Sequence, residues 1–161
     1  MKGDRPDLRR DGALLSRALK RLRLRSGRSK AEIAATMNLA LRTYDRFEAG
    51  ETRLNLDYID RFARATGSDP NAILLAVATG SPELAVRCAD NRFGTILVIA
   101  LRRFDEAVGD RLSEYEVRTL ISAVTTMFDG LAALPTSPDP DRTWLQEGQA
   151  ELESKRPRPG R

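Results

Sequence analysis

The sequence predicts an all-α protein, and three observations carry that expectation. Apolar residues recur at helical spacing along nearly the whole chain up to Leu134, while the alternation that marks a strand never persists over several positions. Cap chemistry recurs where helices should begin. Gly27, Gly50, Gly67 and Gly80 each fall just after an apolar-periodic stretch, where a left-handed residue ends a helix at little cost.

Taken in order, Met1 to Gly12 reads as a basic N-terminal extension, and the first helix starts near Ala13. Ser29 followed by Glu32 makes a capping box, the hydroxyl accepting from the amide three residues on while the carboxylate reaches back to the cap. Asn55 is a further cap, with Leu54 and Ile59 placed as a hydrophobic staple around it. Asp69 with Pro70, and Ser81 with Pro82, put a cap oxygen before a proline whose missing amide costs nothing in a first turn. Ser113 with Glu116 repeats the capping box. The result is five short helices between about Ala13 and Ala78, a long helix from about Pro82 to Val108, and another from about Ser113 to Leu134. After Leu134 the chain turns to prolines and charges, with Trp144 and Leu145 as its large apolar residues. That composition predicts a disordered tail over residues 135–161.

Composition removes several functional classes. A chain of 161 residues suits one or two small domains. It has no His, so imidazole metal sites, Ser-His-Asp and Cys-His triads and the commonest general base are absent together. The lone Cys88 forms no internal disulfide and supplies too few thiolates for zinc; it reads as a small buried apolar residue in a reducing cytoplasm. No apolar run approaches the roughly 20 residues of a membrane span, and Met1 to Asp11 lacks a signal-peptide core. The surface carboxylates Asp105, Glu106, Glu114 and Glu116 have no nucleophile and base beside them, so no catalytic residue, cofactor, metal or small-molecule ligand is predicted.

The net charge of +4 is unevenly spread. Met1 to Gly50 carries 13 Lys/Arg against 6 Asp/Glu, Glu51 to Leu134 carries 9 against 12, and the tail 5 against 5. A basic front joined to a mildly acidic remainder is the pattern of a polyanion-binding module attached to something that stays off the polyanion.

The segment SKAEIAATMNLALRTYDRF sharpens this. It reads as helix, three-residue turn, helix: Ile33, Ala34 and Met37 share one face, and Leu39 plugs the turn. Asn38 tolerates the positive φ such a turn requires. Tyr44 and Phe47 face the core, leaving Leu41, Arg42, Thr43, Asp45 and Arg46 outward on the second helix.

With LKRLR before it and LDYIDRFARATGSDPNAIL after it, this stretch resembles the lambda-repressor-like, Cro-like and xenobiotic-response-element-type helix-turn-helix regulators, over roughly Leu19 to Leu74. The resemblance implies a five-helix lambda-repressor-like domain over residues 13–79, a two-helix extension over 80–134 and the tail. It also makes the helix from about Ala40 to Ala49 the recognition helix in the major groove of double-stranded DNA. Carried over residue by residue, Leu41, Arg42 and Arg46 match positions that read bases, and Lys30 and Thr43 match phosphate contacts. A guanidinium donating to O6 and N7 of guanine is worth roughly 1 to 3 kcal/mol of discrimination. Arg23 and Glu48 match a structural salt bridge between the first and third helices. Lys30 stands where Gln is usual, Asn38 where Gly is usual, and Ala40 where a Ser or Thr normally caps the recognition helix, a loss of about 1 kcal/mol.

Lys2, Arg5, Arg9, Arg10, Arg17, Lys20, Arg21, Arg25 and Arg28 add general phosphate attraction along the leader and first helix. In the second half, Phe93, Ile96, Leu97, Ala100, Leu101, Phe104 and Val108, then Val117, Leu120, Ile121, Val124, Phe128 and Leu131, predict an amphipathic hairpin. Two helices make too small a core alone, so their stripes are expected to pack against the first domain, a second copy of the chain or both, with homodimerisation the favoured reading. The sequence therefore predicts a cytoplasmic, homodimeric regulator, nucleoid-associated when bound, with its small size pointing to repression at a palindromic operator. The competing reading is an antitoxin-like or adaptor module that keeps the helix-turn-helix as a scaffold.

Overall fold

The computed structural model describes residues 5–136, all of whose regular elements are helical. Lys2, Trp144 and the tail expected beyond Thr136 lie outside these residues. The chain divides into two units, Met1–Gly109 and Asp110–Arg161.

The first unit opens with α1 (Arg5–Ser26), which starts well before Ala13. Pro6 permits this, because a proline in the first turn removes an amide that has no helical partner anyway. From Leu14 the helix buries Leu14, Leu15, Ala18, Leu19 and Leu22, one face at 3–4 spacing. Four further helices follow: α2 (Lys30–Thr36), α3 (Leu41–Glu48), α4 (Leu56–Thr66) and α5 (Pro70–Ala78). Asn55 caps α4 through the amides of Asp57 and Tyr58 as expected, although Leu54 stays more than half exposed and so contributes little as a staple. Leu19, Leu22, Ile33, Met37, Tyr44, Phe47, Ile59, Phe62 and Ile73 form the centre of the core. Phe47 meets Tyr58 and Phe62 edge-on at 5.6 and 6.0 Å, a favoured aromatic arrangement.

The long helix expected from Pro82 to Val108 is broken. α6 (Pro82–Arg87) packs on α1 and α5, and α7 (Phe93–Val108) begins after a turn in which Arg92 adopts φ 57°. Helical periodicity loses here to tertiary hydrogen bonds. Asp69, fully buried, caps α5 through the Asn71 amide at 3.0 Å and also accepts from the Thr95 amide at 2.9 Å and its hydroxyl at 2.6 Å. Arg92 donates to the Ser68 carbonyl at 2.7 Å, and Asn91 accepts from the Phe93 amide at 3.0 Å. Together these fix the start of α7 on the start of α5. Gly94 makes the approach possible, since a Cβ there would sit 2.4 Å from the Ala72 amide nitrogen. Gly94→Ala is accordingly expected to cost about 1 to 3 kcal/mol by overpacking, read as a lower Tm, with Gly130→Ala as the unhindered control. Cys88 is buried in the α6–α7 turn, and burial raises its thiol pKa, an inert packing residue as the sequence implied.

A 3-10 turn (Gly109–Glu114) starts at the last residue of the first unit, and the second unit continues into α8 (Val117–Ala132). The Ser113–Glu116 capping box does not form. The Ser113 hydroxyl instead donates to the Asp110 carbonyl at 2.8 Å, and Glu116 becomes the N-cap without a side-chain bond, so the helix starts at Val117. No residue of α8 is buried, and in α7 Gly94 alone is. No helix among the described residues is long and apolar enough to cross a membrane.

Candidate nucleic-acid interface

The interface is built from α2, its turn and α3. Ser29 caps α2 as expected: the Glu32 amide donates to its hydroxyl at 3.3 Å, and its own amide donates to the Glu32 carboxylate at 2.7 Å. Those bonds lower the Glu32 pKa, the backbone amide contributing most. In the turn Asn38 has φ 54°, the Leu39 amide reaches the Ala34 carbonyl at 2.9 Å, and Leu39 packs half-buried against the core. Arg61 from α4 donates to the Met37 carbonyl at 3.2 Å, tying the turn to the fourth helix. Ala40 caps α3 with no side-chain hydrogen bond.

α3 buries Tyr44, Phe47 and Glu48 and turns Leu41, Arg42, Arg46 and Ala49 to solvent, with Thr43 and Asp45 at the margins. At 100° per residue, Leu41, Asp45, Ala49, Arg42 and Arg46 form one continuous strip. Arg42 has no hydrogen-bond or ion-pair partner among the described residues. Arg46 has only a loose approach to Glu51 at 3.8 Å.

Glu48 anchors this strip from below. Its side chain is 1% exposed; Arg23 of α1 donates to it at 2.5 Å and the Tyr44 hydroxyl at 2.9 Å, with Lys30 a further 3.5 Å away. The hydrogen bond from Arg23 to Glu48 outweighs burial and raises the Arg23 pKa. Burial first, and the Glu48 carboxylate second, push the Tyr44 phenol far above its usual value. The native state therefore holds that proton more tightly than the unfolded chain, and the stability so gained is complete below about pH 10 and lost as pH rises beyond it. Alkaline melts should show this fall, and Tyr44→Phe should flatten it.

Two features escaped the sequence. Lys30, expected at a phosphate, donates to Asp45 at 2.9 Å, an exposed ion pair that raises the lysine pKa. Residues 15 apart on different helices give no sequence signal for such a pair. Several cations of the first helix and the turn after it are likewise engaged: Arg21 with Glu83, Arg25 with Asp90, and Arg28 with the Ala65 carbonyl at 2.8 Å. Arg9, Arg10, Arg17 and Lys20 remain exposed along α1.

A family model described as a helix-turn-helix domain matches residues 14–75, from the first buried leucine of α1 through most of α5. Residues 14–75 are similar to helix-turn-helix domains. The match is consistent with the lambda-repressor-like and Cro-like resemblance, and it spans α2, its turn and α3. No curated protein and no solved structure gave a significant match to the chain. Within the helix-turn-helix domain the Glu48 cluster holds α3 against α1 and α2, so the exposed strip is rigidly presented.

Proposed function

We propose that the chain is a sequence-specific DNA-binding repressor that acts as a homodimer on a palindromic operator. In this reading residues 13–79 bind DNA, residues 80–134 hold two copies together, and the basic residues of the leader and α1 add phosphate attraction. α3 enters the major groove with Leu41, Arg42 and Arg46 at base edges, while Lys30 and Thr43 lie at the backbone. The protein works in the cytoplasm, on the nucleoid when bound, without cofactor, small-molecule ligand or catalytic step.

The observation that carries the reading is Arg42, an exposed guanidinium without a protein partner on the outer strip of α3. A fixed helix offering an unspent bidentate donor suits a guanine edge. A homodimer is supported by the exposed Ile96, Val98, Ile99 and Leu101 of α7 and the exposed apolar stripe of α8, since monomers seldom expose large contiguous apolar patches.

Genome-wide mapping of bound sites, followed by footprinting at several salt concentrations, tests the proposal. The expected result is a two-fold-symmetric site with half-sites roughly 34 Å apart and log affinity falling by about 0.9 per neutralised phosphate against log salt. Self-association with no preferred fragment would replace this reading by the adaptor one.

A further inference from the structure

We propose that Asp69 and Thr95 fix the direction in which α7 leaves the helix-turn-helix domain, and thereby set the separation of half-sites that the protein accepts. This rests on the dimeric reading above and names the residues that position one copy's recognition helix against the other's.

The first observation is a single buried carboxylate that serves two helices. Asp69 is fully buried. Its Oδ1 accepts from the Asn71 amide of α5 at 3.0 Å and from the Thr95 hydroxyl at 2.6 Å, while its Oδ2 accepts from the Thr95 amide at 2.9 Å. Thr95 is the third residue of α7, so its amide is one of the donors that a helix start leaves without a helical partner, and the N-cap residue Arg92 makes no side-chain cap bond. Asp69 thus caps α5 from the position before it and α7 from 26 residues away, and two helix N-termini turn their positive ends toward one charge. Asn71 completes the arrangement by donating from Nδ2 to the Thr95 hydroxyl at 2.9 Å, and Arg92 by donating to the Ser68 carbonyl at 2.7 Å. A swing of α7 away from α5 breaks several of these bonds together. A swing toward it is stopped by Gly94, whose backbone already lies against that of Ala72.

The second observation is where these bonds lie. They gather at the first turn of α7, whereas every residue from Val98 to Ala107 is exposed. Ile96, Val98, Ile99 and Leu101, the α7 residues that support the dimer, are therefore aimed from that first turn. The 16 residues of α7 span about 24 Å, so a tilt of about 10° at the base carries the far end about 4 Å. That is roughly the rise of one base pair, about 3.4 Å. A base this firmly bonded is what a narrow choice of half-site separation requires.

Binding of the full chain to the mapped operator, rebuilt with its half-sites one or two base pairs closer or further apart, tests this beside an isolated half-site, with sedimentation as the check on the dimer. Wild type should prefer one separation. Thr95→Val removes the hydroxyl at little change in volume, and Asp69→Ser keeps a cap for α5 while giving up the oxygen that reaches the Thr95 amide. Each should reduce the preference between separations several-fold, with half-site affinity and the dimer kept, whereas Thr95→Ser, which retains the hydroxyl, should keep the preference. A merely structural role would lower Tm and leave the ratio between separations unchanged. A dimeric wild type that binds all separations alike, or one whose preference survives Thr95→Val and Asp69→Ser, overturns the role of this junction while leaving the dimer standing; Thr95→Val alone decides if Asp69→Ser does not fold. A wild type that stays monomeric, or has no two-fold-symmetric site, overturns both.

Discussion

Glu48→Ala is expected to destabilise the helix-turn-helix domain by about 3 kcal/mol, within the range for breaking a buried ion pair on one side. The carboxylate is almost wholly removed from water and accepts from Arg23 and from Tyr44. Its removal leaves a partly buried guanidinium without its counter-charge and a fully buried phenol hydroxyl without an acceptor, a loss of about 1 to 3 kcal/mol for the hydroxyl alone. A void beneath α3 adds to this. In thermal melts the shift should be on the order of 10 °C or more, and Glu48→Gln, which keeps an acceptor for Tyr44, should fall between. Arg23→Leu combined with Glu48→Leu should lose less than Glu48→Ala, since replacing both charges by apolar groups leaves neither uncompensated. A Glu48→Ala protein as stable as wild type would mean that water already satisfies the cluster.

The contrast between Glu48 and Lys30 shows what was legible in the chain. Most features set by neighbours in sequence are legible in it: the Ser29–Glu32 box, the positive φ of Asn38, the uncapped Ala40 and the Asn55 and Asp69 caps form as expected, whereas Ser81 precedes α6 without a side-chain cap hydrogen bond. The Arg23–Glu48 bridge came with the family resemblance, and the structure forms it. Features set by how helices approach one another were not legible. Lys30 finds Asp45 only because α2 and α3 are folded against each other. Asp69 explains itself locally as a cap, and nothing near it in sequence says that its carboxylate also reaches Thr95, 26 residues on, and interrupts an otherwise continuous helical pattern. The Ser113–Glu116 box failed for a related reason: the Asp110 carbonyl offered the Ser113 hydroxyl an alternative within the preceding turn.

Arg42→Ala should weaken operator binding roughly 10- to 100-fold per half-site, the loss of one good bidentate base contact, while Tm stays within the small range of surface substitutions. The effect must be specific, with non-specific affinity falling little and the preference at one base pair of each half-site relaxing. Asp45→Asn makes the opposite case. Asp45 places a carboxylate on the same strip of α3 and holds the Lys30 ammonium by hydrogen bond and charge. Neutralising it removes a charge that repels phosphate and releases one that attracts it, so affinity should rise for every DNA sequence alike and the salt slope should steepen by about one phosphate. Lys30→Ala should do the reverse, weakening all sequences together. Quantitative binding to the operator and to an unrelated duplex, at two salt concentrations, separates these outcomes. Equal losses for Arg42→Ala on both duplexes would make that guanidinium a phosphate contact and move the reading of bases to Arg46 and Leu41.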